Sequence, residues 1–260
     1  MDLGLKDKVI LVTGGARGIG AAIARGAARE GAIPVIVDRD AAAGEAIQLE
    51  LRNDTAACHL ITTELSSPDN CAKAVEASAR KFGRIDALVN NAGVNDKVGL
   101  ENGSPSEFVA SLNRNLLHYY NMAHFALPYL KESKGTIVNI GSKTAVTGQG
   151  GTSGYVCSKG GIMALTREWA AELLPYSIRV NAVIPSDVMT PLYRQWLDTF
   201  PHPEEKLCAI LSRIPFEKRM TRPEEIAATV LFLISPQSAH TTGQHLFVDG
   251  GYVHLDRALS

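Results

Sequence analysis

The stretch Val9-Ile-Leu-Val-Thr-Gly-Gly-Ala-Arg-Gly-Ile-Gly20 joins an apolar run directly to a turn rich in glycine. The apolar run has the length and composition of a buried strand. Glycines at positions 14, 18 and 20 let the backbone approach a phosphate closely, and a helix that begins there offers free N–H groups and a positive dipole end to a pyrophosphate. The spacing differs from the commonest G-x-G-x-x-G pattern, but the order of strand, turn and helix predicts a dinucleotide-binding unit.

Asp38 ends the second predicted strand, at residues 34–38, and follows the turn by about 20 residues. A carboxylate at this position accepts hydrogen bonds from the ribose hydroxyls of NAD and repels the additional phosphate of NADP. Arg17 and Arg39 favour the other cofactor, since a guanidinium here could pair with that phosphate. Because the acid lies closest to the discriminating position, we expect NAD, with NADP as the alternative.

Tyr155 and Lys159 lie in the run Gly154-Tyr-Val-Cys-Ser-Lys-Gly160. Residues four apart on a helix project from the same face, one turn apart. A phenol with a pKa of about 10 is a poor base at neutral pH, and a neighbouring ammonium is expected to lower that pKa. Ser142 follows an apolar run at residues 136–140 that is typical of a buried strand. This arrangement predicts proton transfer to or from an alcohol or carbonyl oxygen.

Together these residues resemble the short-chain dehydrogenase/reductase family, and the resemblance extends over essentially the whole chain. The motif Asn90-Asn-Ala-Gly93 and the later segments 181–185 and 249–251 match the family in the same order. The resemblance implies four catalytic residues, which are Asn115, Ser142, Tyr155 and Lys159. Asn113 is a neighbouring candidate, but the spacing to Ser142 favours Asn115.

The resemblance also implies the residues that hold a nicotinamide dinucleotide. These are Gly14, Arg17, Gly18, Ile19, Gly20, Asp38, Arg39, Glu64, Leu65, Asn91, Ala92, Gly93, Tyr155, Lys159, Pro185, Val188 and Thr190, together with Thr13. Two positions depart from the family pattern. Glu64 stands where an aspartate is usual, which affects the expected contact with adenine, and Ser186 follows Pro185 where a glycine is usual.

Predicted strands and helices alternate along the chain, which indicates a parallel sheet with helices on both faces. We therefore expect an α/β fold in a single domain over residues 1–260, built as a doubly wound, Rossmann-like sheet of seven parallel strands. The predicted strands cover residues 9–13, 34–38, 57–62, 85–90, 135–141, 178–184 and 244–248. The predicted helices cover residues 18–30, 40–53, 68–82, 105–131, 154–174 and 223–235. Residues 186–222 carry several prolines and leave the carboxyl end of the sixth strand, so we expect a mobile lid over the substrate.

The composition is that of an ordinary globular protein, with 45% hydrophobic and 20% charged residues and a formal net charge of −1. It gives no support for binding to nucleic acid or to an anionic membrane. No apolar stretch has membrane-spanning length, and the first strand begins too early for a signal peptide, so we expect a cytoplasmic protein. The four cysteines lack metal-binding spacing, which predicts reduced core thiols, Cys157 included, and no metal site. The family resemblance implies a homotetramer.

Polar residues dominate the segments expected around the substrate. They suit a polyol or sugar better than a steroid or a long acyl chain, although solvated surface loops would carry the same residues. The C-terminal sequence 250–259 resembles the tail of the sugar dehydrogenases of this family, particularly the L-fucose dehydrogenases, which oxidise the anomeric carbon to a lactone. The predicted substrate-binding residues are Asn95, Ser142, Lys143, Gln149, Tyr155, Ser186, His254 and Arg257.

Three functions follow from these patterns. The favoured one is NAD-dependent oxidation of the anomeric carbon of L-fucose or a similar aldose. The second is reduction or oxidation of another carbonyl class, such as a 3-oxoacyl thioester or a hydroxysteroid. The third is a non-catalytic dinucleotide-binding sensor, which would have no need for the four catalytic residues.

Overall fold

The computed structural model describes residues 2–53 and 57–256. Within these residues, seven parallel strands form one sheet in the order β3-β2-β1-β4-β5-β6-β7. The strands are β1 (Val9–Thr13), β2 (Ile33–Asp38), β3 (His59–Thr62), β4 (Ala87–Asn90), β5 (Thr136–Ile140), β6 (Arg179–Pro185) and β7 (His245–Val248). Strands β1, β4 and β5 are buried along their whole length, as central strands covered on both faces must be. The predicted fold class is confirmed.

Helices cover both faces of this sheet. They are α1 (Gly18–Arg29), α2 (Ala41–Asn53), α3 (Pro68–Phe82), α4 (Pro105–Leu112), α5 (His118–Ser133), α6 (Thr144–Thr147), α7 (Ser153–Glu172), α8 (Pro191–Leu197), α9 (Pro203–Leu211) and α10 (Pro223–Ile234). On one face, α3, α5 and α7 contribute Val75, Met122 and Ile162 to the main apolar core. On the other face, α1 and α10 form a second core that includes Ile23 and Val230.

Several predicted boundaries need correction. The helix predicted over residues 105–131 is divided by a π-helical segment, Asn113–Leu117, which separates α4 from α5. The third strand begins at residue 59 instead of 57, because its pairing with β2 begins there. The fourth begins at residue 87 instead of 85, because its pairing with β1 begins at Ala87. At the preceding position, the Asp86 side chain accepts the backbone N–H of Val9. The four-residue helix α6 was not predicted, because a single turn has no detectable period.

The carboxyl ends of the central strands meet at one edge of the sheet. β1 pairs with β2 on one side and with β4 on the other, so the order of the strands reverses at this point. In open α/β sheets, ligands bind in the crevice outside such a switch point. The glycine turn after β1, the segment after β4 and Ser142 after β5 all lie at this edge.

Residues 186–222 contain α8 and α9. The ring of Trp196 contacts those of Tyr193 and Phe200 edge-on, with centroids 5.1 and 5.0 Å apart. These three aromatic side chains therefore pack against one another within the segment. Movement of the segment over a substrate stays a prediction.

All four cysteines are free thiols. Cys58 and Cys71 are buried, but Cys157 and Cys208 are exposed, so the prediction of four core thiols is wrong for two of them. The prediction fails at Cys157 because this position of α7 is exposed, whereas the neighbouring Ser158 and Lys159 are buried. Across residues 2–53 and 57–256, no group of side chains is arranged to hold a metal ion, and no helix has the length and apolar character that a membrane span requires.

Candidate active site

A cavity of about 650 Å³ lies at the carboxyl edge of the sheet. Its wall includes almost every residue predicted for the cofactor, namely Gly14, Arg17, Gly18, Ile19, Asp38, Arg39, Glu64, Leu65, Asn91, Ala92, Gly93, Tyr155, Lys159, Pro185, Val188 and Thr190. The predicted residues Ser142, Asn95 and Ser186 line the same cavity. Its volume is in the usual range for a small-molecule or cofactor site. Groups from distant parts of the sequence therefore converge on one cavity.

The glycine turn is braced by the segment that follows β4. The Thr13 hydroxyl accepts hydrogen bonds from the backbone N–H groups of Asn91 (2.9 Å) and Ala92 (3.1 Å). The Asn91 side chain donates in turn to the carbonyl oxygens of Thr13 (2.9 Å) and Gly14 (3.0 Å). Gly14 has a φ of +62°, and a Cβ there would lie 2.9 Å from the Cα of Ala92. Glycine is thus required at this position both by conformation and by space.

Gly20 does not line the cavity, although it was predicted to bind the cofactor. A Cβ at this position would lie 2.1 Å from the carbonyl oxygen of Gly14. The physical reason for the glycine is therefore close packing of the first turn of α1 against the turn before it. This packing sets the position of the helix N-terminus that faces the cavity.

The Asp38 carboxylate is held in place at the end of β2. Its two oxygens accept hydrogen bonds from the backbone N–H groups of Ala16 (2.9 Å) and Asp40 (3.1 Å). A carboxylate has about four lone-pair positions, so both oxygens keep the capacity to accept further hydrogen bonds from a ligand. Asp38 faces the cavity in the position that the sequence predicted.

Both arginines that favoured NADP are engaged by acids. Arg17 donates from two nitrogens to one oxygen of Asp40, at 3.0 and 2.7 Å. The backbone N–H of Ala43 and the Arg17 guanidinium hold the pKa of Asp40 below its ordinary value. Arg39 donates to Glu64 at 3.1 Å. A 2′-phosphate at this site would have to compete with these carboxylates for the guanidinium groups.

Ser142, Tyr155 and Lys159 meet on the cavity wall. Lys159 is only 3% exposed, and its Nζ donates to the carbonyl oxygen of Ile140 (2.8 Å) and to the hydroxyl of Tyr119 (3.1 Å). The Nζ lies 5.6 Å from the centroid of the Tyr155 ring. The predicted pairing of a tyrosine and a lysine on one face of α7 is therefore found, beside a serine hydroxyl.

The expected fall in the pKa of Tyr155 is not found. Burial raises the pKa of Tyr155, and a hydrogen bond with Ser142 lowers it only in part. Burial also lowers the pKa of Lys159 to about 7. An ammonium with this pKa is only partly charged at neutral pH, so withdrawal from water outweighs the attraction between the two groups. The prediction that Lys159 brings the pKa of Tyr155 down is wrong for the protein by itself.

Asn115 is fully buried and does not belong to the cavity wall. Its Oδ1 accepts the backbone N–H of Val94 (2.7 Å), and its Nδ2 donates to the carbonyl oxygen of Ser111 (3.1 Å). The residue lies in the π-helical segment, where the regular helical hydrogen bonding is interrupted. Asn115 thus fixes the chain after the Asn-Asn-Ala-Gly motif, and its part in the chemistry stays a prediction. Asn113, the alternative, is half-buried.

Three predicted substrate residues lie away from the cavity wall. The Lys143 ammonium is bonded to Asp187 and lies 3.6 Å from the centroid of the Tyr252 ring, so its charge is already satisfied. Gln149 is exposed in the loop before α7. His254 packs edge-on against the ring of Phe247, with centroids 4.4 Å apart. The fourth, Arg257, lies outside the described residues.

The wall also contains residues that the sequence did not single out. They are Val37, Asp40, Thr63, Val94, Arg114, His118, Ile140, Gly141, Pro191, Leu192, Tyr193 and Gln195. Half of them lie at or just after the carboxyl ends of strands and could have been found from that position, namely Val37, Asp40, Thr63, Val94, Ile140 and Gly141. Four others come from the lid segment, Pro191, Leu192, Tyr193 and Gln195, and the Tyr193 hydroxyl donates to Asp187 at 3.0 Å.

Comparison with known proteins bears on the same residues. The sequence profile of a family described as enoyl-(acyl carrier protein) reductase matches residues 14–253, which include the glycine turn and every residue of the cavity wall. The chain belongs to the short-chain dehydrogenase/reductase family. Members of this family are oxidoreductases that act on alcohol or carbonyl groups.

Individual relatives within the short-chain dehydrogenase/reductase family differ in their substrates. A 3-oxoacyl-[acyl-carrier-protein] reductase of Thermotoga maritima is 36% identical over 96% of this chain and 99% of its own length. An L-fucose dehydrogenase of Bos taurus is 36% identical over 94% of this chain and 88% of its own length. Cj0485 dehydrogenase, whose crystal structure is known, is 47% identical in sequence to this chain. The two structures match with a TM-score of 0.96 over 100% of this chain and 99% of that one.

Short-chain dehydrogenases bind a nicotinamide dinucleotide, and the residues of this cavity fit such a group. The glycine turn provides a cradle in which a side chain at position 14 would collide with Ala92. The N-terminus of α1 opens onto the cavity, as an anion site requires. The fixed carboxylate of Asp38 stands where a ribose can donate hydrogen bonds.

Proposed function

We propose that this protein is an NAD-dependent dehydrogenase that oxidises the anomeric carbon of L-fucose or a similar aldose to the lactone. The observation that carries the proposal is that Ser142, Tyr155 and Lys159 line the same cavity as the glycine turn and Asp38. A non-catalytic sensor would have no use for a serine, a tyrosine and a lysine brought together in this way.

The choice of NAD rests on the charges around Asp38. Its carboxylate would accept hydrogen bonds from both ribose hydroxyls, and its charge would repel a 2′-phosphate. Arg17 and Arg39 are paired with Asp40 and Glu64, so neither offers an uncompensated positive charge. These ion pairs are largely exposed and are each worth little stability, but they remove the main argument for NADP.

The proposed chemistry is proton transfer at the substrate oxygen. Ser142 and Tyr155 hold the substrate hydroxyl between them, and the Tyr155 phenolate accepts its proton. When bound, the nicotinamide supplies the hydride acceptor. In its charged form, Lys159 would stabilise the phenolate and would donate hydrogen bonds to the ribose of the bound cofactor. General base catalysis of this kind contributes about 10²–10⁴-fold to the rate.

The support for a sugar comes from the polar side of the cavity. Asn95, Ser186 and Gln195 line the same cavity as Ser142 and Tyr155. They provide donors and acceptors for several hydroxyl groups of one small molecule. The similarity to an L-fucose dehydrogenase of Bos taurus points in the same direction.

Reduction of a 3-oxoacyl thioester is the second candidate. The relative from Thermotoga maritima, which carries that name, is as similar to this chain as the L-fucose dehydrogenase is. A carrier protein would favour a basic surface and NADP, whereas this chain has a formal net charge of −1 and pairs both relevant arginines with acids. We therefore place this candidate second.

The test is identification of the product. L-fucose labelled with ¹³C at the anomeric carbon is incubated with the enzyme and NAD, and the labelled carbon is followed by NMR. We expect its signal to move to that of a lactone carbonyl, with one NADH formed per lactone. NADH formation without a labelled carbonyl, or no turnover of any aldose, would contradict the proposal.

We further propose a cytoplasmic homotetramer. The support is the family resemblance, together with the apolar side chains of Val109 and Leu117, which are exposed on one stretch from α4 to the start of α5. Light scattering on the purified protein tests this proposal, and a monomer at micromolar concentration would contradict it.

A further inference from the structure

Tyr119 is fully buried on α5, and it belongs neither to the sequence motifs described above nor to the cavity wall. Its hydroxyl donates to the carbonyl oxygen of Ile140 at 3.1 Å and accepts from the Nζ of Lys159 at 3.1 Å. The same carbonyl accepts from that Nζ at 2.8 Å. The three polar atoms therefore form a closed triangle, in which each pair is joined by a hydrogen bond.

This triangle fixes an otherwise flexible ammonium. Lysine has a four-carbon stem, and the Lys159 head group is withdrawn from water, where each donor without a partner is costly. Among the described residues, Tyr119 supplies the one side-chain hydroxyl that accepts a hydrogen bond from it. The Tyr119 ring adds to the effect, since the Nζ lies 5.2 Å from its centroid.

We propose that Tyr119 is a positioning residue of the catalytic site, whose hydroxyl holds the Lys159 ammonium in the place and charge state in which it serves Tyr155 and the cofactor ribose. This inference rests on the proposed function only in that Lys159 takes part in dehydrogenation, whichever alcohol is the substrate. The Ile140 carbonyl anchors the pair to the end of β5, next to Ser142.

The charged and titratable groups around Lys159 set the direction of the effect. His118, on the same helix as Tyr119, is neutral at working pH, because burial and the Lys159 charge lower its pKa to about 4. Tyr155 faces Lys159 from α7, and Tyr119 faces it from α5. Burial raises the pKa of both phenols, so neither supplies a negative charge at neutral pH. The Tyr119 hydroxyl therefore stabilises the ammonium as an acceptor, without a charge of its own.

The matched pair of variants is Tyr119→Phe and Tyr120→Phe. The first removes one oxygen and keeps the buried ring. The second removes a hydroxyl from the next residue of α5, whose side chain is exposed and outside the cavity wall. Activity is measured with whichever alcohol the native enzyme oxidises, so the test survives if the sugar proposal fails.

We expect Tyr119→Phe to lower kcat/KM about tenfold or more, since a hydrogen bond to a charged group is lost. The loss should grow as pH rises, because Lys159 gives up its proton more readily without this acceptor. The pH at which kcat/KM stops rising should therefore move to a lower value, while Tyr120→Phe leaves it in place. No shift in that pH, or equal effects of the two variants, would overturn the proposal.

NADH binding provides a second readout that needs no turnover. The Kd is measured by fluorescence for Tyr119→Phe alone and in a Lys159→Met background. If Tyr119 acts through Lys159, its substitution weakens binding only when the lysine is present. An equal effect in both backgrounds would show that the hydroxyl serves the fold and not the ammonium, and would refute the inference.

Discussion

The hydroxyl of Thr13 joins the glycine turn to the segment after β4, and its removal should cost both stability and cofactor affinity. Thr13 is fully buried, and its oxygen is the acceptor for two backbone N–H groups, those of Asn91 and Ala92. Replacement by valine keeps the shape of the side chain but leaves both donors without this partner. Each buried donor left unpaired costs about 1–3 kcal/mol. Because both amides are only part-buried, we take the lower end for each and expect a loss of about 2–3 kcal/mol.

The control is Thr13→Ser, which keeps the oxygen and removes one methyl group. Loss of a buried methyl costs about 1 kcal/mol. Free energies of unfolding come from urea titration followed by circular dichroism, and the Kd for NADH from fluorescence. Valine should be clearly more destabilising than serine and should weaken NADH binding, while serine binds NADH nearly as the native protein does. If serine is as damaging as valine, the methyl and not the hydroxyl braces the turn, and the reasoning fails.

Three further predictions concern catalysis and cofactor choice. Tyr155→Phe should lower kcat by about 10²–10⁴-fold, because the base is removed. The Kd for NADH should change little, since the rest of the cavity wall is kept. Normal turnover would exclude Tyr155 as the base. Oxidation should accelerate as pH rises, since burial raises the pKa of Tyr155 and the phenolate forms only toward alkaline pH. Ser142→Ala should move this rising limb to still higher pH, because it deletes the hydrogen bond that lowers the pKa, and a shift to lower pH would contradict that role. Asp38→Ser should lower kcat/KM for NAD at least tenfold, because charge-assisted hydrogen bonds to the ribose are lost. The gain in kcat/KM for NADP should be small, since Arg17 stays paired with Asp40. Initial rates with each cofactor measure both effects.

Local sequence patterns predicted the parts of this fold that local chemistry determines. The apolar run before Thr13, the glycines after it and Asp38 follow from rules of strand burial and backbone conformation, and the structure has them at one edge of the sheet. The spacing of Tyr155 and Lys159 needed only the period of a helix. The alternation of strands and helices then gave the parallel sheet.

Contacts between distant segments could not be predicted in the same way. In the π-helical segment, the Asn115 side chain is hydrogen-bonded to Val94 and Ser111. The spacing of apolar residues along this helix does not predict the π-helical segment. The pairing of Arg17 with Asp40 joins two loops that are remote in sequence. Lys143 carried the signature of a substrate ligand, but its partner Asp187 lies 44 residues further on.

The pKa of Tyr155 shows why a motif alone can mislead about chemistry. A tyrosine and a lysine one turn apart suggest attraction, which lowers the pKa of the phenol. Both groups are also withdrawn from water. Burial raises the pKa of Tyr155 and lowers the pKa of Lys159, which opposes the effect of their mutual attraction on each pKa. Burial depends on the whole fold, including Tyr119 and Ile140 behind the lysine, so it could not be obtained from residues 154–160.

The most direct measurement is a set of initial rates followed by nicotinamide absorbance, with NAD or NADP as cofactor. The substrates are L-fucose, other aldoses, a hydroxysteroid and a hydroxyacyl thioester. We predict rapid reduction of NAD with L-fucose and related sugars, and a much lower kcat/KM with NADP. Activity confined to the steroid or the thioester, or a preference for NADP, would contradict the proposed substrate or the proposed role of Asp38.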